Sequence, residues 1–454
     1  MERIALQQLI DWNNSKNRKP LIVWGARQAG KTYLVKEIFA KTYYKNSYIY
    51  IDFKIEDEIR EFCFHTANPA KIIEYISLRK EHPVNGNTLL IFDEVQECPN
   101  IISSLKYFCQ DFSEIPVIAT GSMVRIKLQR ETHKRGPAAK GKFLFPVGKI
   151  NQLTIYPMSL DEFFMNSNRM LYDTIRTAYY ERRPLDSHIH ELALDQVYRY
   201  MLVGGMPEAV DCYIESGNLL ESREILKALY DNYLSDMDLY QASREAILRS
   251  RALFQNIFRE LNKESKNFSP GLIEKNSKTR DFASSIHWLK MAHIVNQSFQ
   301  LKEHITLPLI ADNESHFRLF LSDIGMFSYQ SGVNAASFIS SERENTLSGI
   351  FFENFVANEL AAKGNNLFYW RGKTSAELEF IIESDNKLYP IDVKKGRGTL
   401  NSLDKFSNHN KFEYAIKVSK NNYGYNHEKK LLTIPFYFIP FAAEDLARGT
   451  MPSF

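Results

Sequence analysis

The chain has 454 residues, 44% of them hydrophobic and 24% charged, with a formal net charge of +3. At ~100–200 residues per domain, that length is too great for one core and predicts two to four domains. The composition is ordinary for a soluble globular protein, and the near-balanced charge neither demands nor excludes a nucleic-acid partner.

The opening stretch MERIALQQLIDWNN carries charge within its first three residues and no long apolar run, which is not the pattern of a secretory signal. Residues 2–13 are expected to form a short helix with Ile4, Leu6, Leu9, Ile10 and Trp12 on its apolar positions. Four strand-like runs follow: LIVWG at 21–25, YIYIDF at 48–53, TLLIFDE at 88–94 and PVIATG at 116–121. Helical patterns such as TYLVKEIFAKTY and PAKIIEYISLRK separate them. Strands alternating with helices predict an α/β fold, a parallel sheet with helices on both faces, and near-continuous apolar strands fit that burial.

After about residue 165 the pattern turns helical, through LALDQVYRYMLVGGMPEAV and LLESREILKALYDNYL. A shorter block ending in SSIHWLKMAHIVNQSFQLKE reads as helix, turn, helix and hairpin, as in a winged helix, with Trp288, Leu289, Met291 and Ile294 as core. Several Lys and one Arg in NKESKNFSPGLIEKNSKTRD, just before it, are placed to meet phosphates. Strand patterns return in NLFYWR, AELEFIIES, KLYPIDVKK, EYAIKVS and IPFYFIP. The expected division is 1–165, 166–245 (helical lid), 246–345 (winged-helix-like region and linker) and 346–454. LLTIPFYFIPFAA, the longest uncharged apolar stretch, falls far short of ~20 residues and is broken by Pro435 and Pro440, so no membrane span is expected. Cys63, Cys98, Cys109 and Cys212 lack CxxC or zinc-ligand spacing and read as reduced thiols of a cytoplasmic protein.

The sharpest chemical signal lies in WGARQAGKTYL. Gly25, Ala26, Arg27, Gln28, Ala29, Gly30, Lys31, Thr32 and Tyr33 make strand, glycine-bounded loop and helix start, the context of a phosphate-binding P-loop (Walker A). Glycines let successive N–H groups aim at phosphate oxygens, and the helix N-terminus adds its positive end. Lys31 is expected to reach the β- and γ-phosphates of ATP, and Thr32 to place its hydroxyl on Mg2+. TLLIFDE supplies the Walker B pair: Asp93 for the metal shell and Glu94 to orient the attacking water. PVIATGS ends a strand in Thr120 and Ser122; a polar side chain there touches the γ-phosphate or water, or caps a helix. RIKLQRETHKRGPAAKGK, residues 125–142, is the most basic stretch. It reads as an arginine finger for a neighbouring subunit, a nucleic-acid contact, or a solvated loop.

GARQAGKT, FDEVQ, ATGS, FPVGK…LTIYPMSLDEF and VGGMPEAV, with GIFFENFVANEL, LFYWRGKTSAELEFII and YPIDVKKG, resemble bacterial and archaeal AAA-type ATPases carrying a C-terminal domain of unknown function 4143. The resemblance covers nearly the whole chain. It implies an AAA+/archaeal-type (ASCE) P-loop ATPase core, a winged-helix-like middle and a restriction-endonuclease-like C-terminal domain. ATP and Mg2+ are the cofactors, and DNA, a protein partner or a homo-oligomer the associates. Lys149 stands where many relatives have Arg.

The C-terminal acids can be read on their own. GIFFENFVANELAAK reads as an amphipathic helix carrying Glu353 and Glu359. Period-2 alternation in AELEFIIES puts Glu377 and Glu379 on one strand face, and Asp392 and Lys394 share a face in YPIDVKK. A helix Glu, a strand acid and then (D/E)xK is the layout of PD-(D/E)XK nucleases, whose chemistry needs carboxylates converging on Mg2+ and a Lys beside them. Glu353, Glu379, Asp392 and Lys394 fit those places, with Glu379 where such nucleases carry Asp. Three functions are open at this point: an ATP hydrolase driving conformational change on DNA or a protein partner, an ATP-gated nuclease, and a nucleotide-controlled scaffold.

Overall fold

A computed structural model describes residues 1–121, 145–240, 243–334, 349–372, 376–394 and 401–454. Ser122 and the basic run 125–142 lie outside the described residues. The chain divides into two units, one made of Glu2–Tyr156 with Met291–His293 and the other of Met1, Pro157–Lys290 and Ile294–Phe454.

In the first unit the expected parallel sheet is present, with one strand more than the sequence patterns marked. β1 (Leu21–Gly25), β2 (Tyr48–Asp52), β3 (Leu89–Asp93), β4 (Val117–Thr120) and β5 (Asn151–Ile155) lie in the order β2-β3-β4-β1-β5, all pairings parallel. β1, β3 and β4 are buried at every position, as central strands covered on both faces must be. β5 was missed because it is an edge strand whose first residues, Asn151 and Gln152, are exposed and polar. Two apolar layers cover the sheet. Ile22, Ile51, Phe92, Ile102 and Phe108 belong to one, and Val23, Val35, Phe39, Ile91 and Ile118 to the other. The first helix runs Ala5–Asn14 and buries Leu9 and Trp12.

The second unit holds helices from Leu160 onward and a mixed eight-stranded sheet in the order β12-β13-β11-β10-β9-β8-β6-β7. Its strands are β6 (Val295–Leu301), β7 (Phe317–Leu321), β8 (Phe368–Arg371), β9 (Glu377–Ser384), β10 (Lys387–Val393), β11 (Ala415–Ser419), β12 (Gly424–Asn426) and β13 (Leu431–Pro435). The hairpin read as a wing is β6–β7, but β6 also pairs in parallel with β8. Its two strands therefore extend this sheet and do not form a free-standing wing. IPFYFIP is not a strand either. Only Ile434 and Pro435 extend; Phe436–Phe438 form a tight turn of helix, and Pro440 stands in the first turn of helix Ile439–Arg448, where a missing N–H costs nothing.

Helix Gly349–Ala362 departs from its expected amphipathic character. Every residue from Ile350 to Ala361 is buried, including Glu353, Asn354, Asn358 and Glu359. A helix surrounded on all sides must pair its polar groups internally. Asn354 does so with both backbone polar groups of Leu321, at 3.0 and 2.9 Å. Glu359 Oε1 accepts the Leu160 N–H at 3.0 Å and the Tyr200 hydroxyl at 3.4 Å. Beside it, Lys363 donates to Asp161 at 2.5 Å.

VGGMPEAV owes its glycines to a backbone crossing. The Gly205 carbonyl accepts a 2.6 Å hydrogen bond from the Met158 N–H, and a Cβ on Gly205 would stand 2.0 Å from the Met158 carbonyl oxygen. Gly204 packs on Gly325, and Asp323 closes the crossing by accepting the Gly205 N–H at 2.7 Å. Burial pushes the Asp323 carboxyl up to about 6, against the pull of its backbone N–H partners.

Two outcomes follow from this packing. Gly205→Ala forces two backbones apart and should lower unfolding free energy by about 1–3 kcal/mol or more, read from urea denaturation. Burial, with Asp161 next, raises Glu359 from 4.5 to about 8. A carboxyl whose folded pKa is the higher one gives stability that is complete below the unfolded value and lost as pH rises towards the folded value. Glu359→Gln should therefore gain stability relative to wild type between pH 4.5 and 8, measured as the difference in denaturation midpoints across that window.

Candidate nucleotide-binding site

The P-loop runs from the end of β1 to helix Tyr33–Ala40. Gly25 has φ +144° and pairs with Ile155 of β5; a Cβ there would meet the Ile155 carbonyl oxygen at 2.1 Å. Gly30 (φ +88°) and Gln28 (φ +62°) turn the loop in the left-handed region, which glycine takes without strain and glutamine does not. Ala26 and Ala29 are buried. Arg27 is half-buried, while Gln28 and Tyr33 are exposed.

Lys31 is 7% exposed and donates to the carbonyl oxygens of Gly25 and Ala26 at 3.0 and 2.7 Å. Burial pulls its ammonium down to about 8, with Asp93 and Glu94 opposing. Thr32 donates its hydroxyl to Asp93 Oδ2 at 2.7 Å. Asp93 also accepts from the Tyr50 hydroxyl at 2.9 Å, from the Thr120 hydroxyl and from the Glu94 N–H at 2.9 Å. β4 lies between β1 and β3, so Thr120 stands beside both. Glu94 begins the turn after β3 with φ +51°, its carboxylate on Lys54 at 2.9 Å and on the Gln96 amide.

The structure thus brings Lys31, Thr32, Asp93, Glu94 and Thr120 to the C-terminal ends of three adjacent strands. These residues suit Mg-ATP in kind: a hydroxyl and a carboxylate within 2.7 Å for a hard cation, an ammonium, and loop N–H groups for phosphate. Sequence reading missed four supports. Buried Arg3 donates to the Ala29 carbonyl of the P-loop at 3.0 Å and to the Tyr156 carbonyl at 2.7 Å, tying the loop to the end of β5. Tyr50 carries a raised pKa through burial and Asp93, and so stays a hydroxyl donor. Lys54 and Gln96 hold Glu94. Gln96 ends the FDEVQ stretch, but its role, like those of Arg3, Tyr50 and Lys54, is found only through its partner.

A second group of charges gathers in the eight-stranded sheet. Lys394 lies 2.7 Å from Asp392 and 3.6 Å from Glu379, and Glu379 Oε2 accepts the Val393 N–H at 3.1 Å. Glu353 enters the same electrostatic environment, raising Glu379 together with its burial, which is the larger effect. All four expected residues therefore meet. Two further cations join them: Lys266 contacts Glu353 at 2.6 Å and Glu377 at 3.4 Å, and Arg318 contacts Glu377 at 2.6 Å. Among the described residues, no group of three or more His, Cys, Asp and Glu side chains is arranged to hold a metal ion.

Residues 17–164 match the model of an AAA domain. The chain carries an AAA domain over these residues. Residues 194–337 and 348–437 match models of two domains of unknown function, DUF8612 and DUF4143. No curated protein matches the chain significantly. Among solved structures, a Walker-type ATPase of Pyrococcus abyssi is similar at 14% identity and a TM-score of 0.42, over 73% of this chain and 95% of that one. No helix among the described residues is long and apolar enough to cross a membrane.

Because Arg3 holds the P-loop at the Ala29 carbonyl, Arg3→Ala should weaken ATP binding several-fold while leaving the sheet folded. Fluorescent-nucleotide titration alongside circular dichroism checks both halves of that expectation.

Proposed function

We propose that the AAA domain hydrolyses ATP. The carrying observation is the convergence of Thr32, Tyr50 and Thr120 on the single buried carboxylate of Asp93, next to Lys31 and Glu94. Thr32 and Asp93 are the residues to hold Mg2+, which when bound supplies positive charge at the β- and γ-phosphate oxygens. Lys31 and the loop N–H groups bind the phosphates. Glu94 would orient the attacking water once its carboxylate leaves Lys54 and Gln96, and Thr120, held by Asp93 at the end of β4, would contact the γ-phosphate or that water. Turnover serves conformational work on DNA or a protein partner in this reading, within a homo-oligomer or with another chain.

A second reading, an ATP-gated metal-dependent nuclease, draws on the meeting of Glu353, Glu379, Asp392 and Lys394. It also draws on strand pairing: β8–β9 and β9–β10 antiparallel, then β10–β11 parallel behind helix Gly349–Ala362. The cluster favours it less, because the chain's own cations already balance most of those carboxylates.

Steady phosphate release from ATP is the expected activity. Lys31→Ala should abolish it with loss of nucleotide binding, whereas Glu94→Gln should keep binding and slow turnover by about 10²-fold or more. Wild-type protein that binds ATP without releasing phosphate would leave the nucleotide-controlled scaffold as the better account. The same assay with added plasmid DNA tests the partner: stimulation indicates DNA, and cut plasmid lost in Asp392→Ala indicates the nuclease.

A further inference from the structure

The cluster around Glu379 is built from four carboxylates, Glu353, Glu377, Glu379 and Asp392, and three cations, Lys266, Arg318 and Lys394. All four carboxylates belong to the C-terminal strands and helix, but Lys266 and Arg318 come from the preceding region. Lys266 sits on the loop between helices Ile257–Leu261 and Pro270–Ile273. That loop is fixed at the three residues that follow Lys266. The Tyr369 hydroxyl donates to Asn267 at 2.7 Å, the Phe268 N–H to the Phe317 carbonyl at 2.9 Å, and the Ser269 N–H to Glu260 at 2.8 Å. Arg318 is 1% exposed, lies over the Tyr369 ring at 3.9 Å and reaches Glu377. Neither cation is a wandering surface side chain.

We propose that the Lys266 ammonium is a built-in replacement for a divalent cation, so that the carboxylate cluster of the C-terminal sheet is an ion-pair core that takes up no Mg2+ or Mn2+. Charge decides it. Three cations already face the four carboxylates, and burial holds Glu379 towards its neutral form, so a divalent ion would leave net positive charge in a site where Glu353, Glu379 and Asp392 are all buried. Removing water from uncompensated charge is costly in either sign. Without Lys266 the same four carboxylates face only two cations, and one divalent ion balances them in their ionised form. Two carboxylate oxygens, Glu353 Oε2 and Asp392 Oδ2, are buried and accept no hydrogen bond, so donor atoms stand ready for a cation once the ammonium charge is removed. Burial works to lower the Lys266 ammonium, yet Glu353, Glu377 and Glu379 outweigh it and hold its pKa above the ordinary value, which keeps the replacement charged. The Glu at position 379, one methylene longer than Asp, reaches the Val393 N–H and spends an oxygen on it that a metal would need.

The test is Mn2+ titration of the full, nucleotide-free chain followed by electron paramagnetic resonance, with Asp392→Asn subtracted so that any binding near Asp93 cancels. Wild type should show no Asp392-dependent site at millimolar Mn2+. Lys266→Met should gain one such site per chain, and Lys266→Arg should not. An Asp392-dependent Mn2+ site in wild type overturns the proposal, as does a folded Lys266→Met that gains none. If Lys266→Met does not fold, the thermal midpoint of wild type decides: no change on adding Mn2+ supports the proposal, and a rise that Asp392→Asn abolishes overturns it.

Discussion

Asp93 is the constraint on which the candidate ATP site depends. Its side chain is 4% exposed, and a carboxylate removed from water must find donors for its lone pairs. It finds three hydroxyls and one N–H, from Thr32, Tyr50, Thr120 and Glu94. Those donors come from the P-loop, from β2, from β4 and from the residue after β3 itself. One buried carboxylate thereby fixes the relative height of four strand ends, and the P-loop, the metal-suited pair and Glu94 inherit that alignment. The strand order makes it possible, since β4 between β1 and β3 lets Thr120 and Thr32 reach one side chain from either side.

The second unit is organised by the opposite device, removal of side chains. Gly204, Gly205 and Gly325 let the chain segments at Met158, Val203 and Asp323 cross at distances no Cβ tolerates. Asp323 then supplies the acceptor that the crossing leaves wanting. Helix Gly349–Ala362 threads the same interior with two glutamates in it. One oxygen of Glu359 is held by Leu160 and Tyr200, and one oxygen of Glu353 by Lys266. A polar residue in a fully buried helix is affordable only where its partner is fixed, and here the partners arrive from segments far away in the chain.

How far the sequence could be read depends on whether a residue's partner is local. The P-loop reading rested on short-range spacing, and the loop geometry at Gly25 and Gly30 follows from that spacing. Period-2 alternation correctly put Glu377 and Glu379 on one face, and DVK put Asp392 beside Lys394. The apolar positions of GIFFENFVANEL suggested a helix with a wet side, but periodicity reports only which residues are apolar. It is blind to neighbours that cover the polar side as well, so the burial of Glu353, Asn354, Asn358 and Glu359 was out of reach. The hairpin at 295–321 read correctly as a hairpin and wrongly as a wing, because strand pairing with β8 leaves no mark in the hairpin's own residues.

The sequence by itself determined the chemistry on offer: a glycine-bounded loop ending in Lys31 and Thr32, an apolar strand ending in Asp93 and Glu94, and a C-terminal set of acids with one lysine. Each is a property of a few consecutive residues, and backbone geometry at that range follows from residue type. Tertiary structure alone decided the neighbours. It set Arg3 on the P-loop, Tyr50 on Asp93, and Lys266 and Arg318 among the C-terminal carboxylates. Electrostatic balance in a buried site depends on every charge within a few ångströms, wherever in the chain it originates. For that reason the loop spacing of WGARQAGKTYL was legible from its letters, while the cation that meets Glu353 and Glu377 came from Lys266, far upstream.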